Sequence, residues 1–182
     1  MVVCAEKIIK VKEIVSILTF LIFSVCSFAT EQEPDWLIVN NDTIYLKSFL
    51  LASLNLTERP FGYTRQTAPS SSCWRGYRAI WRILDDKLYL EGIISCQSDK
   101  NFDKENLPEL FRRNQIAFKD NKGMILADWV TIDLFTMDSS IALHYPNKVF
   151  LYDGFYKKDR MEEKKLRLRI SNGKIEVDKL EK

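Results

Sequence analysis

The stretch from Cys73 to Tyr77 holds the residue types with the clearest capacity for chemistry. Trp74 and Arg75 are adjacent there, and an aromatic ring beside a guanidinium can grip a sugar face, a carboxylate or the surface of a partner. We therefore take Trp74, Arg75 and Tyr77 as candidate ligand-binding residues. The alternative is a structural role, in which Arg75 makes a cation–π contact or holds a loop carbonyl within the domain.

Asp128 is the fourth candidate ligand-binding residue. Alternation through residues 124–135 predicts a strand that places Asp128 on an apolar face, and a carboxylate on such a face is costly unless it is paired. This placement predicts either a pocket or a bulge that turns the carboxylate outward. A hydrolase would need a second carboxylate beside Asp128, such as Asp133 or Glu91.

The common catalytic and cofactor motifs are missing from the sequence. His144 is the single histidine, although acid–base, metal and nucleophilic sites use that residue more than most others. No G-x-S-x-G, G-x-G-x-x-G, G-x-x-x-x-G-K or C-x-x-C motif occurs. We therefore expect no catalytic residue, no cofactor and no metal ion, and the sequence favours binding over enzymatic activity.

Cys73 and Cys96 flank a predicted hairpin and are candidates for a disulfide. In a regular ladder Cys96 faces Arg75, so Cys73 is a diagonal neighbour about 7–8 Å away, beyond the usual bridging range. The bond therefore requires the chain to bend near Trp74. The sequence leaves bonded and free cysteines equally open.

The N-terminal residues resemble an export signal. Residues 14–29 carry no charge and follow three lysines, which is typical of a secretory signal peptide, and small residues place its cleavage after Ala29. The apolar stretch is shorter than the roughly 20 residues that span a bilayer. We predict a signal peptide over 1–29 and a polar segment over 30–34, with an uncleaved anchor or a lipid on Cys26 as alternatives.

The charge balance limits the classes of partner. The chain has 182 residues, with 27 basic and 25 acidic side chains and a formal net charge of +2. Nucleic-acid binding needs unopposed positive charge, so we expect no nucleic-acid partner. We expect a protein or glycan partner, and contact with a membrane only through the N-terminal segment if it stays uncleaved or becomes lipidated.

Period-two alternation recurs through residues 35–182 and predicts a single, mainly β domain. We expect antiparallel hairpins that form a curved sheet or open barrel, with one short helix near residues 106–111. A turn at Asn172-Gly173 pairs apolar residues on one face and opposite charges on the other. A turn at Asp85-Asp86 makes a second hairpin, in which Ala79 faces Gly92.

The second hairpin also carries a resemblance. It reads R-G-Y-x-A-x-W-x-I, a polar turn and K-L-Y-L, formed by Arg75, Gly76, Tyr77, Ala79, Trp81, Ile83 and Lys87 to Leu90. Over about 18 residues, 73–90, the chain resembles small exported bacterial proteins of the Bacteroidetes type, whose function is unknown. Ala127-Asp128-Trp129 is a second, weaker point of similarity. The resemblance implies export and a β-rich fold, and it transfers no catalytic residue.

These patterns predict an exported, non-enzymatic binding or interaction protein of the periplasm or cell envelope. One version is an immunity-type inhibitor that guards the envelope against a toxin, because a small single domain can do this without an active site. The competing class is a hydrolase that uses a carboxylate pair including Asp128.

Overall fold

The structure is a computed structural model, and it describes residues 32–40, 42–64, 66–96, 104–137, 150–153 and 167–178. The predicted signal peptide and His144 lie outside the described residues. Residues 32–182 form one compact unit. Among the described residues, no helix is long and apolar enough to cross a membrane.

The described part of the chain is built mainly from strands. In chain order they are β1 (Asp35–Val39), β2 (Asp42–Leu46), β3 (Tyr77–Leu84), β4 (Lys87–Ser95), β5 (Asp120–Asn121), β6 (Met124–Leu126), β7 (Ile132–Met137), β8 (Phe150–Asp153), β9 (Arg167–Ser171) and β10 (Lys174–Asp178). Helix α1 spans Leu107–Arg113, and two 3₁₀ turns span Leu50–Leu54 and Pro60–Gly62. The predicted fold class is confirmed: the protein is mainly β, with a curled sheet, and the described residues include one α-helix.

The strands form one sheet in the order β10-β9-β7-β8-β2-β1-β3-β4-β6-β5. Most neighbours are antiparallel, as predicted, but β1 pairs with β3 and β2 pairs with β8 in parallel. The parallel pairs arise because the β1–β2 hairpin lies as a unit between β3 and β8. Parallel partners are distant in sequence, so no local turn motif predicts their pairing.

The β9–β10 hairpin has the predicted register. Ile170 faces Ile175 and Arg169 faces Glu176 around the turn at Asn172-Gly173. Helix α1 also lies where the sequence predicts a helix, since the Asn106 side chain accepts a hydrogen bond from the Glu109 N–H at 3.1 Å and caps it. Local turn and cap chemistry therefore determines both elements.

The β3–β4 hairpin has the predicted register only near its turn. Farther from the turn, Glu91 is an extra residue on β4, and the ladder continues with its register shifted. The predicted pairing of Ala79 with Gly92 is wrong, because the bulge makes Ala79 face Ile93.

Residues 124–135 do not form the single predicted strand. Strand β6 ends at Leu126, and a turn follows in which the Val130 N–H donates to the Ala127 carbonyl at 3.0 Å. Strand β7 then begins at Ile132 and pairs with β8 and β9, whereas β6 pairs with β4 and β5. Asp128 lies in this turn instead of on a strand face.

A disulfide joins Cys73 to Cys96, with their Cα atoms 6.5 Å apart. The bulge brings Cys96 opposite Gly76, and the Cys96 N–H donates to the Gly76 carbonyl at 3.2 Å. The chain bends at Trp74 as the bond requires, because the Gly76 N–H returns to the Cys73 carbonyl at 2.9 Å. Gly76 has a φ of +83°, and a Cβ there would overlap the Tyr63 ring, so glycine is needed at this bend.

We predict that the double substitution Cys73→Ser and Cys96→Ser lowers the free energy of unfolding by about 3 kcal/mol, from the lost cross-link of the unfolded chain. Urea unfolding measures the difference. Dithiothreitol should lower the stability of the wild type by the same amount and leave the double variant unchanged. Equal stability of the oxidised wild type and the double variant would contradict the prediction.

Candidate functional site

Three of the four predicted ligand-binding residues line one cleft. Trp74, Arg75 and Tyr77 form one side of a cleft of about 300 Å³. The other side comes from the segment between residues 51 and 60, which contributes Leu51, Ala52, Asn55, Leu56, Arg59 and Pro60. The bend after the disulfide and the first 3₁₀ turn therefore position the cleft.

Arg75 is buried and makes the structural contacts that the alternative interpretation described. Its Nη1 donates to Asp35 Oδ1 at 2.9 Å, and its Nη2 donates to the Glu33 carbonyl at 2.9 Å. Its guanidinium carbon lies 3.7 Å from the centroid of the Phe49 ring. Its Nε is buried without a hydrogen-bond partner in the described part of the chain. The positive charge of Arg75 is therefore largely neutralised by contacts within the domain.

Asp35, which the sequence analysis did not single out, is the partner of Arg75. Its side chain is fully buried, and besides Arg75 it accepts hydrogen bonds from the Ala79 N–H at 3.1 Å and the Trp81 indole at 3.4 Å. Burial raises the pKa of Asp35, and the Arg75 guanidinium is the largest opposing influence. A carboxylate directly before the apolar run of β1 was the available sequence signal, because a buried charge needs a partner.

Tyr77 contributes a neutral phenol to the cleft. The residue is buried, and its ring centroid lies 5.1 Å from the guanidinium carbon of Arg75. Burial raises the pKa of the Tyr77 hydroxyl, which therefore keeps its proton at neutral pH. The hydroxyl can donate a hydrogen bond, but it is a poor base.

Trp74 lies at the rim of the cleft and is 40% exposed. In the described residues, Leu84 is the other large apolar side chain with comparable exposure. The Trp74 backbone is fixed, because its N–H donates to Gln32 Oε1 at 3.1 Å and the adjacent Cys73 is cross-linked. The backbone that carries the indole is therefore held in place, and much of the indole surface meets solvent.

Arg59 is a cleft residue that the sequence analysis missed. It is exposed, and its guanidinium has neither an ion pair nor a hydrogen bond to any described residue. Its charge acts on the same cleft. The positive charge of Arg59 partly offsets the rise that burial causes in the pKa of the Tyr77 hydroxyl. The available signal was the long polar loop that begins near residue 58, because such loops are frequently functional.

A second cleft, of about 600 Å³, is lined by residues of the same loop and also includes Arg59. Besides Arg59, its charged residues are two carboxylates, Glu58 and Glu105, and one guanidinium, Arg113. Arg113 pairs with Glu105 at 3.0 Å and with Glu58 at 3.5 Å, and Glu105 also accepts a hydrogen bond from the Phe61 N–H at 2.7 Å. These contacts hold the loop against α1, so we interpret this cleft as structural.

The structure does not bring Asp128 to the other three candidates. Asp128 lies near the turn end of the β3–β4 hairpin, where the neighbouring Ala127 N–H donates to the Leu88 carbonyl at 3.0 Å. Trp74 to Tyr77 lie at the opposite end of β3, and a strand of that length spans about 25 Å. Asp128 is half-exposed and pairs with Lys119 at 2.8 Å.

The carboxylates of the hydrolase alternative each have a basic partner. Asp133 pairs with Arg167 and Arg169, and Glu91 accepts two hydrogen bonds from Arg82 at 2.9 and 3.0 Å. The hydrogen bond from Arg167 lowers the pKa of Asp133. A carboxyl with a lowered pKa is a poor general acid near neutral pH.

We predict that Asp35→Asn lowers the free energy of unfolding by about 3–5 kcal/mol, because it leaves the buried Arg75 charge without a counter-charge. Denaturant unfolding measures the loss. Glu91→Gln is the matched control, since it breaks the half-exposed pair with Arg82 and should change stability by about 0–1 kcal/mol. Similar small losses in both variants would show that the buried pair is dispensable.

Asp133→Asn should destabilise the protein in a pH-dependent way. The folded pKa of Asp133 is lowered, so its contribution is present above the unfolded pKa of about 3.9 and is lost as the pH falls through the folded pKa. The stability difference from the wild type should therefore be full at pH 7 and shrink below about pH 4. Unfolding curves from pH 2 to 7 test this, and 1 M salt should reduce the difference at pH 7.

The first cleft thus combines an exposed indole, an apolar wall and a cation, Arg59, that forms no ion pair with a described residue. It offers no thiolate to a metal ion, since the sulfurs of Cys73 and Cys96 are bonded to each other, although the Glu33 carboxylate lies within 4.8 Å of both. Comparison with known proteins finds no matching family model, no matching curated protein and no matching solved structure.

Proposed function

We propose that the protein is an exported, non-enzymatic binding protein of the cell envelope and that its partner binds at the cleft beside Trp74. The main support for this proposal is the exposed indole of Trp74, whose backbone is held rigidly at the rim of the cleft. Tryptophan is enriched among the residues that dominate binding energy, and a backbone that is already held in place loses little entropy on binding.

Three independent constraints fix this rim. The disulfide holds Cys73, the backbone bend at Gly76 packs against Tyr63, and the buried Arg75 anchors the turn to β1 through Asp35. An interaction site on such a support is preorganised, which raises affinity without any additional contact.

The ionisable groups of the cleft favour binding over catalysis. They are Arg59, Arg75 and the Tyr77 phenol. Guanidinium groups stay protonated in proteins, and the raised pKa of Tyr77 keeps the phenol protonated. Among the described residues that line the cleft, none therefore serves as a general base.

The proposed location outside the cytoplasm has separate support. The Cys73–Cys96 disulfide is typical of an oxidising, non-cytoplasmic environment. The N-terminal sequence has the features of a secretory signal, and the resemblance of residues 73–90 implies export. The envelope is the compartment that accommodates all of these features.

We predict that Trp74→Ala loses the partner that the wild type retains. The full chain, tagged at its C-terminus and expressed in the source organism, is captured from envelope extract, and the bound proteins and glycans are identified. Leu84→Ala is the matched control, because it also removes an exposed apolar side chain but lies at the turn end of β3. Binding should fall at least 10-fold in Trp74→Ala only, as expected for a residue that dominates binding.

Equal recovery of every partner by the wild type, Trp74→Ala and Leu84→Ala would contradict the proposed site. Loss of binding in both variants would also contradict the proposed site, because Leu84 is remote from the cleft. Circular dichroism of each variant confirms that a lost partner reflects the missing side chain and not a misfolded domain.

A further inference from the structure

The cleft beside Trp74 carries one positive charge that forms no ion pair with a described residue. Of its two arginines, Arg75 is neutralised by Asp35 at 2.9 Å, whereas Arg59 has no acidic partner among the described residues. Among the described residues, no acidic side chain lines the cleft. Glu58, which precedes Arg59 in the sequence, pairs with Arg113 at 3.5 Å. The electrostatics of this cleft therefore suit a ligand group with a single negative charge.

The rest of the lining suits an apolar body attached to that anion. Leu51 and Pro60 are buried beneath the cleft, Leu56 is half-buried and Trp74 forms the rim. A volume of about 300 Å³ is at the small end of ligand pockets and matches one amino-acid residue better than a chain of sugars. A phosphate, with its greater charge, usually has several cations or backbone N–H groups around it.

Asn55 adds a group that recognises peptides. Its side-chain amide is exposed at the cleft, and the hydrogen bond that it donates to the Ser53 carbonyl is long at 3.5 Å. A carboxamide both donates and accepts, so it can pair with the N–H and carbonyl of a peptide bond. This contact would lie beside the anion-binding guanidinium of Arg59.

We infer that the cleft binds the C-terminal residue of a peptide or protein, with the terminal carboxylate on Arg59 and an apolar side chain against Trp74 and Leu56. The inference rests on the proposed binding function and names its ligand class. Arg59 supplies the charge, Asn55 contacts the last peptide bond, and the Tyr77 hydroxyl is a further donor within the cleft.

The test follows the indole N–H signals of ¹⁵N-labelled full chain during titration with N-acetyl-L-phenylalanine. The chain has four tryptophans, so Trp74 is assigned by the signal that disappears in Trp74→Phe. For a ligand of this size we expect a Kd on the order of 1 mM. The uncharged N-acetyl-L-phenylalaninamide should bind about 10-fold more weakly, because it lacks the charge-assisted contact.

Two arginine variants locate the charge. Arg59→Gln should weaken binding of the acid about 10-fold and leave binding of the amide unchanged. Arg112→Gln is the matched control, since it removes the same charge from an exposed site on α1 where Arg112 pairs with Glu109. Both substitutions lie at exposed positions, and an unchanged ¹⁵N spectrum away from the cleft establishes that the fold is intact.

The remaining probes separate the sources of the carboxylate. 3-Phenylpropionate has the ring and the carboxylate but no peptide bond, and weaker binding of this probe than of N-acetyl-L-phenylalanine supports the peptide assignment. Equal binding would overturn that assignment in favour of a free organic acid. If the acid and the amide bind equally well, or if methyl β-glucoside is the only probe that shifts the Trp74 signal, the assignment of a carboxylate ligand is overturned. The proposed binding function would still stand. No Trp74 shift with the acid at 20 mM, far above the expected Kd, would overturn the inference outright.

Discussion

The buried ion pair between Asp35 and Arg75 is the interaction on which the arrangement of the site depends. It joins the start of β1, the turn before β3 and β3 itself, because Asp35 also accepts from the Ala79 N–H and the Trp81 indole. Buried ion pairs add little net stability compared with apolar contacts of similar volume, but breaking one is costly. Its main contribution here is therefore to specify one arrangement of these segments, including the parallel pairing of β1 with β3.

The same pair explains why Trp74 is exposed while its neighbours are buried. Cys73 is held by the disulfide and Arg75 by Asp35, so the chain between them has little freedom. The bend at Gly76 then sends Tyr77 back into the sheet, and Trp74 is left on the outer side of the turn at 40% exposure. The exposed indole is thus a consequence of constraints on both sides of it.

Local sequence patterns predicted the turn and the helix that they determine. They did not predict contacts between segments that are distant in sequence. The Asn172-Gly173 turn fixed β9–β10 in the predicted register, and Asn106 capped α1 where expected. The bulge at Glu91 escaped prediction because β4 is buried on both faces, so a shift of one residue leaves no visible error in the apolar pattern. Asp35 escaped because its partner lies 40 residues away, a separation at which sequence spacing carries no information.

The two arginines of the cleft show why the sequence could predict where the site lies but not which residue supplies its charge. Adjacency to Trp74 made Arg75 the candidate cation, and it does line the cleft, but its charge is cancelled within the domain. Arg59 was inconspicuous in a polar loop, and only the fold shows that it faces the same cleft without an acidic partner among the described residues. The charge that a ligand meets is what remains after internal pairing. In a nearly neutral chain, one such remaining charge against an apolar wall gives selectivity at short range without a field that gathers anions from a distance.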